Sequence, residues 1–238
     1  MNIKSLSILF ISTILFYGCA STSTYPTAVE YASEQDSQPI EYSLFESKDQ
    51  TISEENIQRI LNGEIKIPDT VRIAVFKYAS ASTNKYYSYY WNDEEYLKTQ
   101  QSYIDTLFSQ LKNSTRIKKI ITVPSLMTGD QPNMIQLRET AVRLQADLLL
   151  VFTINSDIYY KYKTFQKNEA KAYATIETLL MDTRTGVVPH TSIVTQEMHI
   201  QKAEEDWTNE ETRKRAENGA IFKSLIVTGK KVYGFLEE

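Results

Sequence analysis

Cysteine is almost missing from this sequence. Of 238 residues only Cys19 is one, so no disulfide can form within the chain, and neither a Cys-x-x-Cys redox pair nor a cysteine-built zinc site exists. Histidine is nearly as rare, with His190 and His199 alone. Nine residues apart on one extended segment, they are expected to face opposite sides and not to share a metal. No His-Glu-x-x-His or carboxylate triplet stands by to help, so neither a metal nor a cofactor is expected. Glycine is scarce at 7 residues, which argues against phosphate-cradling loops and against a β protein built mainly from turns. No serine occupies a Gly-x-Ser-x-Gly elbow; Ser125, in Pro124-Ser125-Leu126, is an ordinary loop serine. No charge of one sign prevails: 30 acids and 26 bases are interspersed and leave a net −4. Nothing resembles the basic face that a nucleic-acid binder needs.

What is present begins at the N-terminus. Met1-Asn2-Ile3-Lys4 is a short positive start, and Ser5 to Tyr17 is uncharged and rich in Leu, Ile and Phe. A run of about 13 residues suits a signal-peptide core and falls short of the roughly 20 needed to span a bilayer. Phe16-Tyr17-Gly18-Cys19 follows. A small residue before a cysteine, directly after an apolar run, is the pattern of a lipobox, where the sulfur receives diacylglycerol and the leader is removed. Phe16 and Tyr17 depart from the usual leucine and small residue. The alternatives are an ordinary secretory signal with a chance cysteine, or a short membrane anchor. A lone cysteine at this position is best explained if it carries lipid, since each buried methylene of an acyl chain adds about 0.8 kcal/mol of membrane affinity. Ala20, rather than Asp, follows the cysteine, which in Gram-negative bacteria favours the outer membrane.

The expected layout is therefore a lipoprotein signal peptide over 1–18, a lipidated cysteine and flexible tether over 19–40, and a single mixed α/β domain over 41–238. Ala20 to Gln38 is Ser, Thr, Ala, Glu and Asp with few large apolar side chains, as a tether requires. Hydrophobic residues make up 42% of the chain, enough for a core. Ile40 to Phe45 reads as a short strand. Ser53 caps a helix with Ile57, Ile60 and Leu61 on one face, ended by Gly63.

Val71 to Tyr78 reads as a central strand, apolar on both faces: Val71, Ile73 and Val75 point one way, Ala74, Phe76 and Tyr78 the other. A long helix starts at Asn92-Asp93-Glu94-Glu95, its acids at the positive end of the dipole. Its expected stripe is Tyr96, Leu97, Tyr103, Ile104, Leu107, Phe108 and Leu111. Ile117 to Val123 is a strand, Met134 to Leu144 a helix, and Leu148 onward a buried strand continuing to Tyr162. Ala170 to Met181 and Val187 to Ile200 form an antiparallel pair about the turn Asp182-Thr183-Arg184-Thr185-Gly186. Thr208 to the end is helix, with Ala216, Ala220, Ile221, Leu225 and Val232 in phase. Strands alternating with helices, then strands in succession, predict an α/β (α+β) fold: a mixed β-sheet with helices packed on it.

Arg72-Ile73-Ala74-Val75-Phe76, the segment Leu137 to Leu150 with Gln145-Ala146-Asp147 toward its end, and Leu179-Leu180-Met181-Asp182-Thr183-Arg184-Thr185-Gly186 carry a resemblance. They resemble the bacterial envelope lipoproteins related to the curli secretion channel subunit, the penicillin-binding-protein activator lipoproteins and the N-terminal domain of TolB. In that group a helix ends in Gly-Ala-Asp before a buried strand, and an Asp-x-x-Thr-Gly turn joins two later strands. Gln145 stands where that glycine would be. The resemblance covers Val71 to Val194 and implies a fold and a compartment, without naming any chemistry. Both motifs also have a purely structural reading. Asp147 can cap the turn between helix and strand, and Asp182 and Thr185 can bond turn amides while Gly186 supplies a positive φ.

Few residues invite a functional reading. Glu94-Glu95 and Glu204-Glu205-Asp206 could pair as acid and base, yet both precede helices, where acids suit the dipole. Tyr86, Tyr87, Tyr89, Tyr90 and Trp91 stand out. Five rings in a predicted loop must pack under the domain, meet a partner protein, or touch a membrane or glycan surface. Tyr159-Tyr160-Lys161-Tyr162 carries the same ambiguity more weakly. The expected function is non-enzymatic: an outer-membrane lipoprotein, membrane-bound through Cys19, exposing a periplasmic domain to an envelope partner protein as an assembly or regulatory factor. An oligomeric secretion-pore subunit is the alternative. Its membrane segment would be Asp157 to Ile176, with Lys161, Lys163, Lys167 and Lys171 along one face and Tyr160 and Tyr162 opposite. Gln166, Asn168 and Ala170 make the outward face poor for lipid. A cell-wall-acting enzyme comes third.

Overall fold

Val71–Tyr78, strand β1, is the strand around which the sheet is laid. It pairs in parallel with β2 (Ile117–Thr122) on one side and β3 (Leu148–Lys161) on the other; β3 pairs antiparallel with β4 (Glu169–Asp182), and β4 with β5 (His190–Gln201). The order is β2-β1-β3-β4-β5. Helix α1 (Glu54–Asn62) precedes β1, α2 (Asp93–Leu111) joins β1 to β2, α3 (Met134–Arg143) joins β2 to β3, and α4 (Asn209–Glu237) closes the chain. The computed structural model describes residues 53–78, 93–129, 132–163 and 167–238. The expected leader, tether and Ile40 to Phe45 strand lie outside the described residues. The rest is the expected single domain: a mixed sheet with helices packed against it.

The period-two pattern of β1 sorts its side chains as the sequence predicts. Val71, Ile73 and Val75 join Leu148, Leu150, Phe152 and Ile154 of β3 and Ala170, Ala172, Ala174, Ile176 and Leu180 of β4 on the front face. Tyr103, Leu107 and Leu111 of α2 and Ala216, Ala220, Ile221, Leu225 and Val232 of α4 cover that face. Ala74 and Phe76 join Leu149, Val151 and Met181 on the back, under Leu137 and Ala141 of α3. The three alanines of β4 keep the front face low, so α4 lies close enough for Ser224 Oγ to donate to the Ala174 carbonyl at 2.7 Å. Helices α2 and α4 also meet closely. A Cβ on Gly229 would come within 2.6 Å of Gln110 Cβ, so only glycine fits there.

The helix starts follow local chemistry. Ser53 Oγ accepts from Asn56 N–H at the start of α1, Asn133 and Gln136 form a reciprocal capping box on α3, and Thr208 Oγ1 accepts from Glu211 N–H on α4. Two expected stripes are narrower than the sequence implies. Helix α1 buries none of its residues, and Leu61 is 72% exposed. On α2, Leu97 is 65% exposed, nearly two turns before the core begins at Tyr103.

Asp147 does more than cap its own turn. Its Oδ2 accepts from the backbone N–H and Nε of Arg72 at 2.9 and 3.0 Å, and its Oδ1 from Arg72 Nη2 at 3.1 Å and Arg184 Nη2 at 3.3 Å. Its own N–H donates to the Arg72 carbonyl at 2.8 Å, and its carbonyl accepts from Thr183 N–H at 3.1 Å. One residue thus binds the entry of β3 to β1 and to the β4–β5 turn. Bonds from the Arg72 guanidinium hold its carboxyl below the usual carboxylate range. That turn has the expected form. Asp182 Oδ2 accepts from Thr185 N–H at 3.0 Å and Thr185 Oγ1 at 2.5 Å, and Gly186 has φ +79°. Gln145 has φ +57°, so the backbone keeps the left-handed conformation although the glycine of the resembling group is absent.

Asp147→Asn should cost about 2 kcal/mol at pH 7, since it weakens several charge-assisted bonds that are partly open to solvent. Because the folded carboxyl is held low, this advantage is complete above the unfolded value near 4 and is lost as pH falls through the folded value. Urea midpoints of wild type and variant should converge as pH falls below the folded value. Gln145→Gly should raise the midpoint, by about 1 kcal/mol of stability, through relief of the left-handed strain.

Candidate functional site

Among the described residues, helix α3 covers only part of the back face, and the far half of the β3–β5 ladder is left open. The sequence of β4 sets this up. In Glu169-Ala170-Lys171-Ala172-Tyr173-Ala174-Thr175-Ile176-Glu177 the small and apolar residues go to the front, and Lys171, Tyr173, Thr175 and Glu177 to the back. The register brings Tyr159 and His199 to either side of Lys171, and Asp157 and Glu197 to either side of Tyr173. Tyr159 and Tyr173 meet edge to face with ring centres 6.0 Å apart. Lys171 Nζ lies 4.8 Å from the Tyr173 ring centre and 2.8 Å from Glu197 Oε2. Glu169 accepts from Lys163 Nζ at 2.5 Å and lies 3.7 Å from His199 Nε2. Thr175 and Thr195 hydroxyls bond across the strands at 2.9 Å.

The electrostatics are those of a face whose charges are matched. Glu197 and then Tyr173 raise the Lys171 amine above its ordinary value, and Lys171 holds Glu197 down. Lys163 lowers Glu169. A hydrogen bond with Asp157 raises the Tyr159 hydroxyl. Such a face offers ring area and directional hydrogen bonds, suited to contact with another surface. At the carboxyl end of β1, burial lowers the Lys77 amine to about 8; it bonds Gln100 Oε1 and lies 5.6 Å from the Tyr103 ring centre.

The residues singled out from sequence fall as follows. Cys19, Tyr86, Tyr87, Tyr89, Tyr90 and Trp91 lie outside the described residues. His190 and His199 face opposite sides of β5, as expected: His190 stacks on Phe235 with ring centres 4.9 Å apart, and burial lowers its pKa. Among the described residues no group of three or more His, Cys, Asp or Glu is placed to hold a metal. The acid clusters serve helix ends. Glu94 pairs with Lys98 and Glu95 with Lys214. Burial alone would raise the Asp206 carboxyl, but bonds from Ala203 N–H and Thr212 Oγ1, together with Arg215, bring it below its ordinary range.

The expected lysine stripe is broken up. Lys161 and Lys171 share the open face, whereas Lys163 and Lys167 lie beyond the strand ends and pair with Glu169 and Glu204. On the front of this hairpin Tyr160 bonds Asn209, and Ala170, Ala172 and Ala174 are fully buried in the core shared with α4. Sequence reading missed the Tyr159–Tyr173 pair. Its signal was the strict small-polar alternation of β4, which becomes a surface only once the β3 register is known.

No family model matches the chain, and no curated protein matches it. Solved structures do. A hypothetical protein from Chlamydia trachomatis shares 13% identity over 70% of this chain and 98% of its own, with a TM-score of 0.42. A lipoprotein from Neisseria meningitidis shares 8% over 71% and 99%, with a TM-score of 0.34. The PelC dodecamer from Paraburkholderia phytofirmans shares 16% over 67% and 90%, with a TM-score of 0.31. The structures similar to this chain thus include bacterial lipoproteins. Among the described residues no helix is long and apolar enough to cross a membrane.

The two faces should respond differently to substitution. Lys171→Gln, on the solvated back, should leave the urea midpoint essentially where it is. Glu217→Ala, which removes the buried acceptor of Ser156 Oγ on the front, should cost about 2 kcal/mol. Urea unfolding of both variants checks the contrast.

Proposed function

We propose that this chain is a non-enzymatic outer-membrane lipoprotein, anchored by lipid on Cys19 after removal of residues 1–18, with residues 19–40 as its tether. Its periplasmic domain binds an envelope partner protein as an assembly or regulatory factor, and Tyr86, Tyr87, Tyr89, Tyr90 and Trp91 make the contact.

The observation that supports this reading is where the chain delivers those rings. They lie between Tyr78, the last residue of β1, and Asp93, the first of α2. Since β1 and β2 run parallel, the connections that follow them leave the same end of the sheet. The described part of the second connection, the helical turn Ser125–Met127, exposes Leu126 by 95% and Met127 by 42%. In an open α/β sheet the carboxyl ends of parallel strands are where binding residues gather. Aromatic rings in one such connection and exposed apolar side chains in the other are the composition of an interface centre.

The test uses the full chain in its native envelope. Cys19→Ser should move the protein from the membrane fraction to the soluble one. A photocrosslinking side chain at Tyr87 should capture one defined envelope protein, and replacing all five rings by serine should abolish capture from a second probe at Leu126 while the urea midpoint stays unchanged. Unaltered capture at Leu126 by the ring-free variant would refute the assignment of the rings.

A further inference from the structure

Among the described residues strand β5 forms one edge of the sheet, and the register shows which of its backbone groups face outward. Lys202 N–H donates to the Asn168 carbonyl at 2.8 Å, continuing the ladder that pairs Gln201 with Glu169. Thr178 Oγ1 reaches the Ser192 carbonyl at 3.1 Å. Even-numbered residues of β5 therefore turn their N–H and C=O groups toward β4, and odd-numbered ones turn theirs to the open edge, as the alternation of an antiparallel pair requires. Helix α4 covers the C-terminal half of that edge. Lys223 Nζ donates to the Glu197 carbonyl at 3.3 Å, and Arg215 Nη2 to the Gln201 carbonyl at 3.0 Å. The N-terminal half, Thr191, Ile193 and Thr195, has no such cover among the described residues.

Open edges are normally guarded by charge, proline or brevity. The opposite edge is guarded in this way: β2 has 6 residues, and its Lys118 and Lys119 are exposed. The window Thr191-Ser192-Ile193-Val194-Thr195 carries no charge and no proline, its register with β4 has no bulge, and Ile193 stands 70% exposed on it.

We propose that this window pairs antiparallel with the same window of a second copy of the chain, about a two-fold axis at Ile193. The ends of the window match about that residue, since both are threonine. The axis sets Ile193 against Ile193 of the second copy, Thr191 against Thr195, and Ser192 against Val194. Its boundaries also exchange. Pro189, which lacks an N–H, falls beside Glu197 of the second copy, whose carbonyl Lys223 already occupies. At both limits alike one of the two bonds of the pair is lost, leaving only Glu197 N–H to donate to the Pro189 carbonyl, and no like charges meet. A closed two-fold contact of this kind uses up both open edges and cannot propagate. It leaves the carboxyl end of β1 and the open back face free, so it stands independently of the partner contact proposed above.

The test takes the lipidated full chain in mild detergent. Ile193→Cys would bring two thiols into a directly opposed pair with Cα atoms about 5.5 Å apart, inside the range of about 4.4–6.8 Å that a disulfide accepts. Mild oxidation should yield a covalent dimer that reductant reverses. Glu177→Cys, beside Ile193 on the inner strand β4, should yield none, and Cys19 is common to both variants. Ile193→Lys should halve the protein mass measured by light scattering with the circular dichroism spectrum unchanged, since the side chain is exposed. A monomeric wild type, together with no covalent dimer from Ile193→Cys, would overturn the proposal. So would a larger ring insensitive to Ile193→Lys, or capture of a different protein in place of the second copy.

Discussion

Asp147 closes a ring of contacts that fixes three distant parts of the chain at one end of the sheet. Its carboxylate takes the backbone and guanidinium of Arg72 at the start of β1, its main chain pairs with Arg72 and Thr183, and Arg184 reaches back to it from the β4–β5 turn. The hydrophobic pattern alone allows β1, β3 and β4 to slide by two residues and still bury one face. A buried, charge-assisted anchor removes that freedom. With the register set there, Leu148 lies opposite Asp182 and the β3–β4 ladder runs without a shift to Lys161 opposite Glu169. The open face exists as a surface only because that register is kept over the whole length.

Periodicity in the sequence announced most of this architecture. The two-sided β1, the in-phase stripe of α4 and the Asp-x-x-Thr-Gly turn are local signals, each decided within a few residues, and each was legible. The reach of Asp147 was not, because its partner is 75 residues away and nothing local distinguishes a turn cap from a cross-strand anchor. Helix α1 has an amphipathic pattern yet buries nothing, since periodicity tells which face could be buried and not whether anything lies against it. The lysines between Lys161 and Lys171 form one stripe only along a single uninterrupted strand; where the strands end, the alternation ends too. Tyr159 and Tyr173 were invisible as a pair for the same reason as Asp147, since their contact depends on pairing and not on spacing.

The front and back of the sheet divide the labour of the fold. Two long helices seal the front, and the small side chains of β4 let α4 settle close enough to hydrogen bond a strand carbonyl. Among the described residues one short helix seals part of the back and leaves the remainder to Tyr159, Lys171, Tyr173, Glu197 and His199. Cross-strand partners neutralise one another there, so the surface is polar without a strong field. That suits contact through shape and hydrogen bonding more than long-range steering.

The position of β1 also bears on mechanical load. A tension arriving through the chain ahead of Val71 acts along β1, whose neighbours on both sides run parallel to it. Every bond of both ladders is then strained in shear at once, whereas strands pulled apart from one end would give way pair by pair. The Arg72–Asp147 clamp sits at the loaded end. A pull along β1 therefore meets the Arg72–Asp147 bonds and both parallel ladders together.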